Sequence, residues 1–129
     1  SMDIVTKKQL NVLIQLAEAD KHFAKVERDF IMKLAKDRNY PEDQVLALIR
    51  NPEPIDGLGA LSNDQKFNYL VTCLELVFAD QKVFESELIF CRSVAIKLGF
   101  RKNIVDFLVE NFTTRPPDEL KKIAFSEYL

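Results

Sequence analysis

The chain has 129 residues, of which 47% are hydrophobic and 29% are charged, and its formal net charge is -2 at pH 7. This length fits one domain that can bury a substantial core. A slightly acidic chain lacks the basic face that non-specific nucleic-acid binding requires, so we expect no nucleic-acid partner.

The N-terminal sequence and the lengths of the apolar runs indicate where in the cell the protein is expected. No apolar run approaches the roughly 18 residues that a membrane span requires. The first ten residues, SMDIVTKKQL, are polar where a signal peptide has an apolar region. We therefore expect a cytoplasmic protein without direct membrane insertion.

The hydrophobic periodicity of the first fifty residues is helical, and strand-like alternation is absent. A capping-box pattern from Thr6 to Gln9 opens the first predicted helix. Pro41 suits the first position of the third. The predicted helices of this part cover residues 6–19, 25–37 and 41–50. A linker over residues 51–61 then holds two Pro and two Gly, which divide the chain.

Four more helices are predicted after the linker. Ser62 and Gln65 form a second capping box that opens the fourth helix. The fifth, over residues 85–98, is apolar on most of its sides, which predicts a central position. Gly99 suits the left-handed residue that ends it, and Asn39, sixty residues earlier, suits the same role after the second helix. A sixth helix follows, and a short amphipathic seventh helix is predicted over residues 117–128. The seventh is expected to cover one end of the core, and the alternative is that it docks into a partner's groove.

The two cysteines, Cys73 and Cys91, lie within apolar helical patterns. Such a position is typical of a buried free thiol. With one histidine in the chain, they fall short of the four ligands that a structural zinc site requires. We therefore expect no structural zinc site.

A shift of the sequence by sixty residues aligns it with itself without a gap. The aligned pairs are Leu10 and Leu70, Asp20 and Asp80, Glu27 and Glu87, Ala35 and Ala95, Asn39 and Gly99, and Leu48 and Leu108. We therefore predict an all-α fold, a compact bundle of about seven helices in a single domain over residues 1–129. Two pseudo-equivalent three-helix halves, residues 6–50 and 62–112, are followed by the C-terminal helix.

The repeated Asp and Glu have a structural interpretation. Each Asp falls at the C-terminal end of a helix, where negative charge costs up to about 1 kcal/mol, so a compensating bond from a turn N–H is expected. Each Glu falls at the third position of the next helix. There it can accept a hydrogen bond from the N–H of residue 24 or 84. Ala24 and Phe84 have no side chain that can cap a helix.

The alternative interpretation is a divalent cation at each of the two acidic turns. Carboxylate oxygens are the ligands that calcium and magnesium prefer. The candidate metal ligands are Asp20, Glu27, Asp80 and Glu87. The alternating acids and central Gly of an EF-hand are absent.

The segments EADKHFAKVERDFIMKLA and FADQKVFESELIFCRSVAIKLGF resemble the Ala-Asp-Gly…Glu signature of the tellurite resistance TerB-like family. The resemblance covers about residues 8–110. It implies an all-helical cytoplasmic module with two similar halves, linked to tellurite resistance and stress response. It also implies metal binding through Asp20, Glu27, Asp80 and Glu87. The chain departs from the signature at Lys21 and Gln81, which stand where the Gly usually follows the Asp.

Three functional hypotheses follow. The first is a non-enzymatic cytoplasmic TerB-like module of the stress and tellurite-resistance type, with calcium or magnesium as its candidate ligand at the two turns. The second is a protein–protein interaction adaptor in which the acids are purely structural. The third, an enzyme, is not expected because His22 is the only histidine and no Gly-x-Ser-x-Gly or phosphate-binding Gly-rich motif occurs. A protein partner is expected, and no catalytic residue or organic cofactor is predicted.

Overall fold

The computed structural model describes residues 3–129, and over these residues the chain is all-helical. The helices are α1 (Ile4–Ala17), α2 (Lys25–Asp37), α3 (Glu42–Arg50), α4 (Asn63–Ala79), α5 (Glu85–Leu98), α6 (Ile104–Asn111) and α7 (Pro117–Glu127). The predicted all-α fold and the number of helices are confirmed for this part of the chain. In the same residues, no helix is both long and apolar enough to cross a membrane.

The start of α1 differs from the sequence prediction. Asp3 caps this helix, and its carboxylate accepts a hydrogen bond from the Val5 N–H at 3.0 Å. The predicted capping box from Thr6 to Gln9 is wrong because the helix already begins at Ile4. Gln9 is only 1% exposed, and its side-chain amide is directed into the interior.

The predicted ends of three other helices are confirmed. In the capping box of α4, the Ser62 N–H donates to Gln65 Oε1 at 2.9 Å, and the Gln65 N–H donates to Ser62 Oγ at 3.2 Å. Asn39 follows α2 with a φ of 56°, and Gly99 follows α5 with a φ of 98°. Both residues adopt the left-handed conformation that ends a helix. Pro41 occupies the cap position of α3 rather than its first helical position.

The linker lies against α1 and contains one 3₁₀ turn, Leu58–Ala60. Asn11 donates a hydrogen bond to the Glu53 carbonyl at 2.9 Å. Lys8 donates another to the Asp56 carbonyl, also at 2.9 Å. These side chains hold the linker on the surface of the helix.

The core lies where α1 packs against α2, α3, α4 and α5 and where α5 packs against α4 and α6. Fully buried aliphatic side chains from these helices fill it, among them Leu10, Leu13, Ile14, Ile31, Leu70, Leu74, Val94, Leu98 and Leu108. Burial of this apolar surface is the main favourable contribution to folding. The two cysteines, Cys73 and Cys91, are buried in this core as free thiols, as predicted.

Helix α5 contacts α1, α4, α6 and the 3₁₀ turn, but α1, which packs against four helices and has more buried residues, holds the central position that the sequence predicts for α5. The expectation that the apolar residues of α5 are buried on most sides is only partly correct. Ile89 is 58% exposed and Ile96 is 57% exposed. One face of α5 is therefore both apolar and open to solvent.

Helix α7 covers one end of the core, as the first of the two interpretations of this helix predicts. Leu120 is buried in the core. The Phe125 ring lies 5.2 Å from the Phe100 ring, and the Tyr128 ring stacks 5.2 Å from the Phe107 ring. These contacts attach the C-terminal residues to α6 and to the segment before it.

Candidate functional site

The first acidic turn is built around Asp20, which follows α1. Its Oδ1 accepts a hydrogen bond from the His22 N–H at 2.9 Å, the bond from the turn that the sequence analysis expected. Lys21, between them, has a φ of 63°. The His22 side chain is exposed. The Asp therefore stabilises a turn whose middle residue adopts a left-handed conformation.

The second acidic turn repeats this backbone shape. Asp80 caps the C-terminus of α4, and the following Gln81 has a φ of 61°. Left-handed backbone costs a non-glycine residue about 1 kcal/mol. Lys21 and Gln81 stand where the TerB-like signature has Gly, and both adopt the left-handed conformation that glycine adopts most easily.

Each turn leads to a Glu at the third position of the next helix. Glu27 Oε1 accepts a hydrogen bond from the Ala24 N–H at 3.0 Å. Glu87 Oε1 accepts one from the Phe84 N–H at 3.4 Å. These bonds confirm the predicted capping role of the two carboxyl groups, since each satisfies the backbone N–H of the residue at the N-cap of its own helix.

Both glutamates are directed inward, and each is 0% exposed. Glu27 lies on the same side of α2 as the buried Ile31 because the two residues are four apart. Glu87 has the same relation to Cys91 on α5. Their second carboxyl oxygens, Oε2, are also buried, and among the described residues neither has a hydrogen-bond partner unless a proton lies between the two carboxyl groups. A buried carboxyl oxygen without a partner is costly, so a proton or a cation is needed to satisfy it.

The carboxyl groups of Glu27 and Glu87 lie close enough to interact. The pKa of Glu87 is raised to about 8. Burial is the largest cause, and the hydrogen bond with Glu27 is the next. Burial also raises the pKa of Glu27, and the negative charges of Asp20 and Asp80 act in the same direction. Two carboxylates at one buried site repel each other, so at neutral pH a proton is shared by the pair.

The sequence predicts one Asp–Glu site in each turn. The structure arranges the four predicted site residues differently. The structure brings Glu27 and Glu87 together across the interior, while Asp20 and Asp80 remain half-buried in their own turns. Over residues 3–129, no group of three or more His, Cys, Asp or Glu side chains is placed to hold a metal ion. The four acids thus form one buried pair with two flanking carboxylates, which we call the acidic pair site.

Cys73 and Cys91 are further titratable groups in the core. The hydrogen bond between their side chains, together with burial, raises the pKa of Cys73 well above its ordinary value. A thiol with a raised pKa remains protonated at neutral pH and is a poor nucleophile.

Comparisons with known proteins identify no relative of this chain. No protein-family model, curated protein or solved structure matches the chain.

The meeting of Glu27 and Glu87 was missed in the sequence analysis, although the sequence contains a signal for it. Each Glu is four residues before a residue of its helix's apolar stripe. A carboxyl group at that spacing is directed toward the core. Because the two stripes belong to segments that align with each other, symmetric packing would bring the two carboxyl groups together.

Proposed function

We propose that this protein is a non-enzymatic cytoplasmic module of the TerB-like type, built from two three-helix halves and α7, that binds a divalent cation between its acidic turns. The observation that carries the proposal is the meeting of two buried carboxyl groups, Glu27 and Glu87, whose Oε2 atoms have no hydrogen-bond partner other than each other among residues 3–129. A stress-response or tellurite-resistance role rests on the resemblance of the two Asp…Glu segments.

The chemistry of the acidic pair site suits calcium or magnesium. Both are hard cations that bind carboxylate and carbonyl oxygens. A cation between Glu27 and Glu87 would replace the shared proton and allow both groups to ionise. Asp20 and Asp80 already act electrostatically on Glu27. We expect these two residues to approach the cation through movement of their turns, with water completing its coordination.

We propose no enzymatic reaction for this protein, because neither His22 nor Cys73 has the surroundings that nucleophilic catalysis requires. His22 is exposed, and the Cys73 thiol is buried with a raised pKa. Neither provides a nucleophile beside a base, which acyl transfer by Ser or Cys enzymes requires.

The second candidate function is a protein–protein interaction adaptor in which the acids only build the fold. The bonds from Ala24 N–H to Glu27 and from His22 N–H to Asp20 favour it, because one oxygen of each carboxylate already has a structural partner. In that case the shared proton is the permanent partner of the two Oε2 atoms. A partner protein is expected under either proposal.

Thermal melting of the metal-stripped protein with added calcium, magnesium, manganese or zinc separates the two candidates. A ligand that binds only the folded state raises the melting temperature by mass action. We expect calcium or magnesium to raise the melting temperature of the wild type. The increase should be absent from Glu27→Gln, Glu87→Gln and reduced in Asp20→Asn, Asp80→Asn.

Glu110→Gln is the matched control because Glu110 is an exposed carboxylate on α6. It should respond to the cations as the wild type does. No increase with any metal in the wild type, with a stable Glu27→Gln, Glu87→Gln variant, would overturn cation binding and leave the adaptor. Growth of cells on tellurite with and without the protein tests the proposed stress role separately.

A further inference from the structure

A cavity of about 220 Å³ lies between α1, α3 and the linker. Ala47 and Leu48 of α3 give it an apolar surface, and Lys7 of α1 and Glu53 of the linker add two charged groups. The side chains of Lys7 and Glu53 are 36% and 48% exposed. The volume is that of about seven water molecules, so the cavity can hold a small organic molecule.

Tyr40 lines this cavity with a buried hydroxyl group. The residue is 5% exposed, and among residues 3–129 its hydroxyl oxygen has no hydrogen-bond partner. The charges of Lys7 and Glu53 both act on this hydroxyl, so it lies toward these two residues. A buried hydroxyl group without a partner is costly, and a molecule in the cavity can supply the partner.

The sixty-residue repeat indicates that packing at this position does not require a hydroxyl group. Phe100 is sixty residues after Tyr40 and is equally buried, with 4% exposed. Each residue donates its backbone N–H to the carbonyl five residues earlier, at 2.8 Å for Tyr40 and 2.9 Å for Phe100. The same backbone contact therefore forms with phenylalanine, which leaves the Tyr40 hydroxyl to be explained by something other than the fold.

The C-terminal residues cover the positions that correspond to this cavity. The Phe125 ring lies 5.2 Å from the Phe100 ring, and the Tyr128 ring lies 5.2 Å from the Phe107 ring. Ala47, sixty residues before Phe107, lines the cavity. The cavity thus occurs at the sequence positions that two aromatic rings cover in the second part of the chain.

Lys7 and Glu53 offer one positive and one negative charge to a ligand. Lys7 Nζ lies 2.9 Å from Glu53 Oε2. This contact uses one of the three hydrogens of the ammonium group and one of the two oxygens of the carboxylate. Both groups can therefore bind a further partner without breaking their own ion pair.

We infer that this cavity binds a small free α-amino acid in its zwitterionic form. The ligand carboxylate accepts hydrogen bonds from Lys7 Nζ and from the Tyr40 hydroxyl, and the ligand ammonium donates to Glu53 Oε1. The ligand side chain contacts the apolar surface of Ala47 and Leu48. This amino-acid site shares no residue with the acidic pair site and does not depend on the proposed cation.

The experiment is thermal melting in metal-free buffer with glycine, alanine, serine, threonine or valine, each added at about 10 mM. A ligand at about ten times its dissociation constant raises the melting temperature by roughly 4 °C in a domain of this size. We expect such an increase with at least one of the five amino acids. Its N-acetyl and amide derivatives, which each lack one of the two charges, should give a smaller increase.

Three variants locate the binding. Tyr40→Phe introduces the residue found sixty positions later, so without ligand it should melt no lower than the wild type, and the increase with the amino acid should be lost. Lys7→Met should lose the increase as well. Lys8→Met is the matched control, because Lys8 is the next residue of α1 and pairs with Asp56 of the linker at 3.6 Å. It should respond to the amino acid as the wild type does.

Two results would overturn the inference. If none of the five amino acids raises the melting temperature of the wild type, water is the partner of the Tyr40 hydroxyl and the cavity is not a ligand site. If the increase is equally large in Tyr40→Phe or in Lys7→Met, the amino acid binds elsewhere or acts as a general osmolyte.

Discussion

Glu27 and Glu87 bring their carboxyl groups together in the interior, although they belong to the first turns of two different helices. Each carboxyl group uses one oxygen to cap its own helix and leaves the other oxygen buried. The contact joins α2 to α5 by a polar interaction between two fully buried side chains. Its protonation should therefore be visible in the stability of the whole domain.

Stability should fall as the pH rises. The folded protein holds the Glu87 proton up to about pH 8, whereas the pKa of an ordinary Glu is 4.5. The resulting stabilisation is fully present below pH 4.5 and is lost as the pH rises through that window to about 8. The free energy of unfolding should decrease by at most about 1.4 kcal/mol per pH unit. Urea unfolding at a series of pH values measures this slope.

Glu87→Gln should remove most of that pH dependence. Its amide keeps an oxygen for the Phe84 N–H and provides an N–H for Glu27 without a negative charge. The variant should be more stable than the wild type at pH 9 by about 1–3 kcal/mol. Glu110→Gln should follow the wild-type curve. Parallel curves for wild type and Glu87→Gln would show that Glu87 is not the group that titrates.

The left-handed residues of the two acidic turns should accept glycine. Lys21 and Gln81 have φ angles of 63° and 61°. Glycine adopts this conformation without steric cost but loses more backbone entropy on folding, so each substitution to Gly should stabilise by about 0.5 kcal/mol. Lys82→Gly is the control, and it should destabilise because Lys82 is not among the residues with positive φ. Urea denaturation at pH 6 measures all three. A loss of stability in Lys21→Gly would indicate that its side chain has a role in the turn.

The buried side chain of Gln9 should contribute to stability through its bonds between helices. Gln9 Nε2 donates to Asn68 at 3.1 Å and to Thr72 at 3.2 Å, and Gln9 Oε1 accepts from Arg38 at 3.0 Å. Gln9→Leu should cost about 1–3 kcal/mol because these partners lose a bond in a partly buried position.

A double-mutant cycle with Thr72→Val separates the bond from the packing. The combined loss should be smaller than the sum of the single losses by about 0.5–1.5 kcal/mol, since both changes remove the same bond. Additive losses would mean that the Gln9–Thr72 bond contributes nothing.

Local sequence patterns predicted the helices well because helix ends depend on few residues. Two kinds of helix end depend only on residues that are close in the sequence. They are the capping box formed by Ser62 and Gln65 and the left-handed residues Asn39 and Gly99. Thr6 was misassigned because Asp3 offered a competing cap three residues earlier. Either cap is chemically acceptable, but the Gln9 side chain bonds to Asn68, Thr72 and Arg38 and so forms no box with Thr6.

The acidic pair site could be predicted only in part. The capping bonds of Glu27 and Glu87 follow from their position in the first turn of a helix. Their mutual contact depends on how α2 and α5 pack, which the sixty-residue repeat indicates but no local pattern contains. For the same reason, the exposure of Ile89 and Ile96 could not be inferred from the apolar character of α5.

Helix α7 is attached to the rest of the domain through Tyr128, the residue that follows it. The Arg101 N–H donates to the Tyr128 carbonyl at 2.7 Å, and the Tyr128 ring stacks on Phe107. Tyr128→Ala removes the stacked ring and should destabilise the domain by about 1–2 kcal/mol, whereas Tyr128→Phe should have little effect because the ring is retained. Hydrogen exchange of the α7 amides should accelerate in Tyr128→Ala, which shows whether the loss arises at that helix. Rapid exchange of these amides in the wild type would contradict the prediction, because α7 would then be an arm held only loosely against the core.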